Sequence, residues 1–369
     1  MKNSLIALAA LCALGAFAHS ASAQSSVTIF GTLDLSGKYV KNEGSARRLS
    51  LSQDGINQSQ LGFRGIEDLG GGLKAGFSLI STVNADTGSV NGKFFNRRST
   101  VSLFNPMGEI RLGRDYVPTF WNNVFFDAFG ANGVGNSFNV WQLQATYPQS
   151  PAFGNFARAD NSIGYFLPSN LGGIYGQAMV AASEGATNQG RLLGARIGYA
   201  AGKFDMALAA VQQRFDLAQN PVVTGITAGS HQTTVNLGAS YDFGIVKLLG
   251  YVDRDSRDNL KETRGSITAA IPFGTSEVHL GYDRSRLTND LAHNTNSVSQ
   301  YKASYQYNFS KRTALYATVS RLSNGSHPLA GVTQSVAGWN PAFAGTAQTA
   351  QPFVGGRSTG AEFGVRHFF

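Results

Sequence analysis

The chain has 369 residues and a formal net charge of +8, yet only 14% of its residues are charged, well below the ~25% of soluble domains. It holds 44 glycines, 25 phenylalanines and 13 tyrosines against 10 prolines, with Cys12 as its one cysteine. A lone thiol builds no disulfide scaffold, and its place in the leader described next excludes a cysteine nucleophile or thiolate-bound metal from the rest of the chain.

The first residues read as a secretory signal. Lys2 supplies the positive start, Leu5 to Ala18 is apolar, and Ala21-Ser22-Ala23 is a small-residue cleavage site before Gln24. Residues 1–23 are therefore expected to be removed, leaving a single unit over 24–369 with a net charge of +7 once Lys2 is gone. Intact-mass analysis of the exported protein should show a chain beginning at Gln24; a mass that retains residues 1–23 would refute the leader. Beyond Gln24 no run reaches the ~18 consecutive apolar residues of a membrane helix. An exported chain without such a helix is either soluble or a β-barrel, and the glycine- and aromatic-rich, charge-poor composition favours the barrel.

Alternation with period two recurs along the whole length, which marks strands with two unlike faces. The segments fall near 26–41, 59–67, 73–83, 95–104, 109–116, 158–167, 174–183, 191–200, 204–213, 232–243, 245–255, 261–272, 276–286, 298–309, 313–322 and 358–369. Thr233, Val235, Leu237, Ala239, Tyr241 and Phe243 oppose Thr234, Asn236, Gly238, Ser240 and Asp242. Tyr301, Ala303, Tyr305, Tyr307 and Phe309 oppose Gln300, Lys302, Ser304, Gln306 and Asn308. In the last segment Ala361, Phe363, Val365, His367 and Phe369 oppose Gly360, Glu362, Gly364, Arg366 and Phe368. Each stretch is about the ~9–11 residues that cross a bilayer as a tilted strand.

Sixteen segments is an even number, as bacterial single-chain barrels require, and short connections alternate with long ones at 42–58, 117–157, 214–231 and 323–357. A soluble β-sandwich or β-helix also supplies many strands, but neither calls for that alternation. The sequence thus predicts an all-β fold, a sixteen-stranded antiparallel transmembrane β-barrel. At that width an aqueous channel remains inside. Placing Lys302 on the lipid side would cost roughly 2–4 kcal/mol at mid-membrane, so the polar phase faces inward.

Several segments resemble the general porins of β-proteobacteria, the family that includes the neisserial porins. Gln24-Ser-Ser-Val-Thr-Ile-Phe-Gly-Thr-Leu-Asp34 is similar to the family's mature start. Ser59-Gln-Leu-Gly-Phe-Arg-Gly-Ile-Glu-Asp-Leu-Gly-Gly-Gly-Leu-Lys-Ala-Gly-Phe77 is similar to its second hairpin and is the most specific match. Phe95-Asn-Arg-Arg-Ser-Thr-Val-Ser-Leu103, Gly108-Glu-Ile-Arg-Leu-Gly-Arg-Asp115 and Gly364-Val-Arg-His-Phe-Phe369 also match.

The resemblance implies a homotrimeric channel in the outer membrane whose third outer loop, about 117–157, folds inward to narrow the pore. It implies Phe369 as a signal read by the barrel-assembly machinery. It also implies an inward basic cluster facing acids on the loop. Carried over by position, Lys38, Arg97 and Arg158 match that cluster, and the parity of Ile163, Tyr165 and Leu167 also puts Arg158 inward. Arg64 shares the inward phase with Gly62. Arg97 shares its phase with Val101 and Leu103, so alternation points it outward and only the resemblance places it inward. The chain departs from the family at Gln60, usually arginine, and at Ala131-Asn-Gly-Val-Gly-Asn-Ser-Phe138, which replaces an acidic stretch and leaves Asp127 as the loop's one carboxylate. The loop aromatics Phe120, Trp121, Phe125, Phe126, Phe129, Phe138 and Trp141 are expected to pin it to the wall rather than to form a sugar track.

The expected function is passive diffusion of ions and small hydrophilic solutes, with a preference for anions. A solute-specific channel for small carboxylates or phosphate is the alternative. The lipid environment, lipopolysaccharide included, is an expected partner; nucleic acid, a cofactor and a metal are not. An outer-membrane barrel enzyme would need serine or aspartate beside histidine. Of the histidines, His231, His293 and His327 fall in outer loops and His367 on the lipid-facing phase. His279 shares an inward phase with Asp283, but four residues along a strand is ~13 Å, too far for a hydrogen bond.

Overall fold

The computed structural model describes residues 26–90, 92–143, 154–184, 190–214, 231–290, 293–326, 334–336 and 352–369; the leader, its cleavage site and His327 lie outside them. The chain runs through β1 (Ser26–Asn42), β2 (Arg47–Gln53), β3 (Gln60–Gly70), β4 (Leu73–Thr82), β5 (Arg98–Asn105) and β6 (Gly108–Tyr116). A helix, α1 (Pro118–Phe125), and a 3-10 turn (Ser137–Val140) come next. Then follow β7 (Gly154–Asn155), β8 (Arg158–Phe166), β9 (Ile174–Ala181), β10 (Leu192–Ala201), β11 (Phe204–Arg214) and β12 (His231–Asp242). The last six are β13 (Lys247–Arg257), β14 (Leu260–Phe273), β15 (Ser276–Asn289), β16 (Asn294–Asn308), β17 (Thr313–Ser323) and β18 (Arg357–Phe368).

All ladders are antiparallel, and the sheet closes where β1 pairs with β18 from Thr32↔Phe368 to Asn42↔Ser358. On its other side β1 pairs with β3 over Ser26–Thr32 and with β2 over Leu35–Lys41, so β2 and β3 occupy one place in the ring. The two-residue β7 lies on β8, which pairs directly with β6. The closed barrel therefore has sixteen strands, each over a segment that alternation marks. Closure leaves no open edge, which a lipid environment demands because unpaired backbone groups there find no water.

Burial follows the alternation. On β16, Tyr301 is 65% exposed while its neighbours Gln300 and Lys302 are buried. Outward aromatics collect near the short-turn ends. Tyr241 meets Phe243 at 4.6 Å between centroids, and Tyr307 meets Phe309 at 5.0 Å. Such girdles mark the membrane interface. At the seam, Gly31 and Phe369 exchange two backbone hydrogen bonds of 3.1 Å. The Phe369 ring lies over Gly31, where any side chain would collide with it. Glycine at that position is what lets the terminal ring cover the seam.

Two features differ from the sequence reading. Long connections are not found at every outer end: β13 joins β14 through Asp258 and Asn259 alone, and Asp258 takes φ 49° to make that turn. There β13 and β14 stay paired up to Arg257↔Leu260, so strand replaces loop. The stretch 42–58, read as loop, contains β2, which pairs with the upper part of β1 above the place of β3. The excursion between β2 and β3 is pinned by Asp34, whose carboxyl accepts from the Ile56 and Asn57 amides at 2.9 and 2.7 Å and from the Tyr316 hydroxyl.

Candidate functional site

Val117 to Leu143 makes up most of the described part of the third long connection, and its polar and aromatic side chains meet inward-facing positions of β9 to β18. α1 starts at Pro118, whose fixed φ suits the first helical turn. From it Asn122 donates to the Ala207 carbonyl and to Asn236, both at 2.9 Å, and accepts from Arg196 at 2.6 Å. Asn123 donates to Asp253 at 2.8 Å. Phe126 is fully buried against Ala207 and Tyr251, and sits where a side chain at position 238 would be; Gly238 makes that room.

Further on, carboxyl groups of the wall hold the backbone directly. Glu362 accepts from the Val134 amide at 3.0 Å. Glu262 accepts from the Gln142 and Leu143 amides at 2.9 and 2.7 Å. Trp141 lies 4.0 Å from the Arg264 guanidinium, which also pairs with Asp253 at 2.7 Å and Asp255 at 3.2 Å. Phe126, Phe129, Phe138 and Trp141 are buried, as expected for pinning rings. Phe125 is 51% exposed and stacks on Trp121 at 5.1 Å.

A hydrogen bond contributes about 0.5–1.5 kcal/mol net, and Glu262 makes two to successive amides, tying the C-terminal half of the segment at Gln142 and Leu143. Glu262→Ala is expected to raise amide hydrogen exchange at Gln142 and Leu143 by tenfold or more while the barrel strands keep their protection. Unchanged exchange at these two amides would contradict the assignment.

Arg97, Tyr116 and Arg158 come together just before β5, at the end of β6 and at the start of β8. Arg97 is buried, and its guanidinium donates to Gln58 and, at 3.0 Å, to the Tyr116 hydroxyl. Arg158 donates to the same hydroxyl at 3.2 Å and lies 4.6 Å from the centre of the Tyr116 ring. Burial pulls the Arg97 pKa below its usual value; an arginine starts so high that it keeps its charge at neutral pH. Arg98 adds a third guanidinium 5.4 Å from the Tyr116 ring, but it is paired with Asp115 at 2.7 Å. Arg97, Arg98 and Tyr116 border a cavity of about 320 Å³ whose lining also includes Thr32, Gln60 and Trp121; Arg158 lies behind Tyr116, outside that lining.

The residues singled out from the sequence divide accordingly. Gln60 lies in the cavity lining, level with Thr32 across the ladder. Arg64 keeps the inward phase but is exposed, nearer the short-turn end, with its guanidinium 5.2 Å from the Phe30 ring; it does not join Arg97 and Arg158. Lys38 faces inward and pairs with Glu362 at 3.6 Å. Asp127 is buried against Lys302, at 3.3 Å, and does not border the cavity; Lys302 also pairs with Asp283 at 3.0 Å.

The parity argument for Arg158 needs correction. β8 carries one residue more than β6 between Ala159 and Ser162, and Asn161 takes φ 54°, so alternation does not run unbroken from Tyr165 to Arg158. Contact with Tyr116, not parity, places Arg158. Arg97 precedes the first residue of β5, so the phase of Val101 and Leu103 does not govern it. His279 bonds Glu277 at 2.7 Å, two residues along the same face. The sequence reading missed Gln58, Tyr116, Glu262 and Asp253. The two acids were legible as inward positions of their strands, but not their partners, which come from a segment over a hundred residues away.

The comparisons with known proteins agree with this architecture. The family model for Gram-negative porins matches residues 7–327. The chain is 37% identical over 383 residues to outer membrane porin protein 32 of Delftia acidovorans, covering 100% of both chains. It is 24% identical over 352 residues to major outer membrane protein P.IB of Neisseria gonorrhoeae, covering 88% of this chain and 94% of that one. The solved anion-selective porin from Comamonas acidovorans superposes with a TM-score of 0.76 at 34% identity, over 94% of this chain and 100% of the other. A closed sixteen-stranded barrel with a polar interior, joined to these matches, makes this chain an outer-membrane member of the Gram-negative porin family.

Proposed function

We propose that the barrel is a passive, water-filled channel for ions and small hydrophilic solutes that prefers anions. The observation that carries this is the meeting of Arg97 and Arg158 on Tyr116 beside the 320 Å³ cavity. Across from them, Glu262 and Glu362 accept from backbone amides, and Asp127, Asp253 and Asp283 pair with Arg264 or Lys302. The acids are thus occupied in holding the segment Val117–Leu143, which narrows the passage, while Arg97 and Arg98 line the cavity and Arg158 meets Arg97 on Tyr116. The anion selectivity named for the Comamonas acidovorans porin fits this reading.

A homotrimer is the assembly we infer. Leu49, Leu51, Val319 and Phe363, each at least 55% exposed, line an outward hollow of about 800 Å³ across β2, β1, β18 and β17. That surface suits burial against another copy. The outward band implies lipid and lipopolysaccharide as neighbours, and the β1–β18 seam ending at Phe369 is the part the assembly machinery would recognise. The sign of the reversal potential under a salt gradient tests the selectivity.

A further inference from the structure

On the outward face of β13 to β16 the side chains change character partway up. Near and above the short turns they are Leu248, Val252, Ile267, Leu280 and Tyr301, all exposed. Higher up come Arg254, Arg284 and Arg286, also exposed. The ladders set Arg254 beside Thr263, Thr263 beside Arg286, and Arg284 beside Gly265. Arg254 donates to the Thr263 hydroxyl at 2.6 Å. Gly265 puts no side chain between Val252 and Arg284, and the result is an outward hollow of about 620 Å³. The three arginines rim it, and Val252, Ile267 and Tyr282 line its lower part.

Among the described residues, no carboxyl group shares this outward phase on the four strands, and neither Arg284 nor Arg286 has an ion-pair partner. The one nearby outward cation that is paired is Lys261, with Asp290 at 2.7 Å. Arg284 and Arg286 stand about eight and ten residues above Ser276, the short-turn end of β15. At ~3.3 Å per residue and a tilt of ~40°, that is roughly 20–25 Å. The apolar band of such barrels is ~25 Å tall, so the arginines reach the headgroup level of the outer leaflet.

We propose that this hollow binds the phosphorylated headgroup of an outer-leaflet lipid, with the adjoining acyl chain lying over Val252, Ile267 and Tyr282. Guanidinium forks match phosphate oxygens in pairs. The floor of the hollow runs without a break into the lipid-facing band, which favours a lipid over free phosphate. The inference gives a site to the lipid partner proposed above; it rests on residence in the outer membrane and not on anion selectivity.

The test is native mass spectrometry of the full mature protein in detergent, incubated with bisphosphorylated lipid A. The wild type should carry bound lipid, and dephosphorylated lipid A should bind about tenfold more weakly. Arg254→Gln/Arg284→Gln/Arg286→Gln should show the same loss, and the triple lysine variant should restore much of it, with single-channel conductance unchanged throughout. Millimolar inorganic phosphate should not displace the lipid. Equal binding of the dephosphorylated lipid, equal binding by the glutamine variant, or displacement by inorganic phosphate would each overturn the proposal. The comparison of the two lipids needs only the wild type, so it decides the matter even if the glutamine variant assembles poorly. Because conductance is read separately, failure here leaves the channel reading untouched.

Discussion

Arg158→Glu should shift the permeability ratio toward cations by about an order of magnitude. A unit charge ~5 Å from an arginine gains about 0.8 kcal/mol even at the dielectric of water. Reversing the sign changes the local charge by two units, and ~1.4 kcal/mol is tenfold in a ratio. The side chain is only half-buried, and its replacement leaves the backbone pairing of β8 with β6 in place. Heat-modifiable migration should therefore match the wild type. Arg97→Gln should act in the same direction with roughly half the size, since it removes one charge without adding another. Bi-ionic reversal potentials at low salt measure both. An Arg158→Glu pore with unchanged selectivity would remove this residue from the account.

Deleting Phe369 should reduce folded barrel in the outer membrane severalfold while leaving export intact. The deletion removes both backbone hydrogen bonds to Gly31 and the ring over it. Such bonds contribute about 1 kcal/mol each where water can replace them, and several kcal/mol where lipid leaves the groups unpaired. Phe369→Ala separates the two contributions, because it keeps the backbone pairing and loses the ring. Heat-resistant, folded protein in outer-membrane fractions is the readout, with precursor processing as the control for export. Normal levels of folded protein in the deletion would count against a role for the terminal residue in closing the barrel.

The strands were legible because the two solvents on either side of a barrel wall impose period two so strongly. The observed β14 and β16 start or end within a few residues of the alternating stretches 261–272 and 298–309. β2 was passed over although Leu49 and Leu51 alternate with Arg48, Ser50 and Ser52. At seven residues it is shorter than the ~9–11 that cross a bilayer as a tilted strand. The site was harder to read. Arg97 lies just outside β5, so no periodicity applies to it. Arg158 lies beyond a bulge, which breaks the count from Tyr165. Asp127 reads as the loop's one carboxylate in the sequence, but only the fold brings Lys302 to it from 175 residues away. Alternation can say that Glu262 and Glu362 face inward; it cannot say that both oxygens of Glu262 and one of Glu362 accept from amides of the third connection.

The reversal potential of the wild-type pore in a potassium chloride gradient at low ionic strength tests the central claim most directly. With Arg97 in the cavity lining, Arg158 beside it on Tyr116 and the opposing acids already paired, the potential should have the sign of an anion-preferring channel. It should shrink toward zero as salt rises toward 1 M, where the Debye length falls to ~3 Å. A cation-preferring sign at low salt would contradict the account.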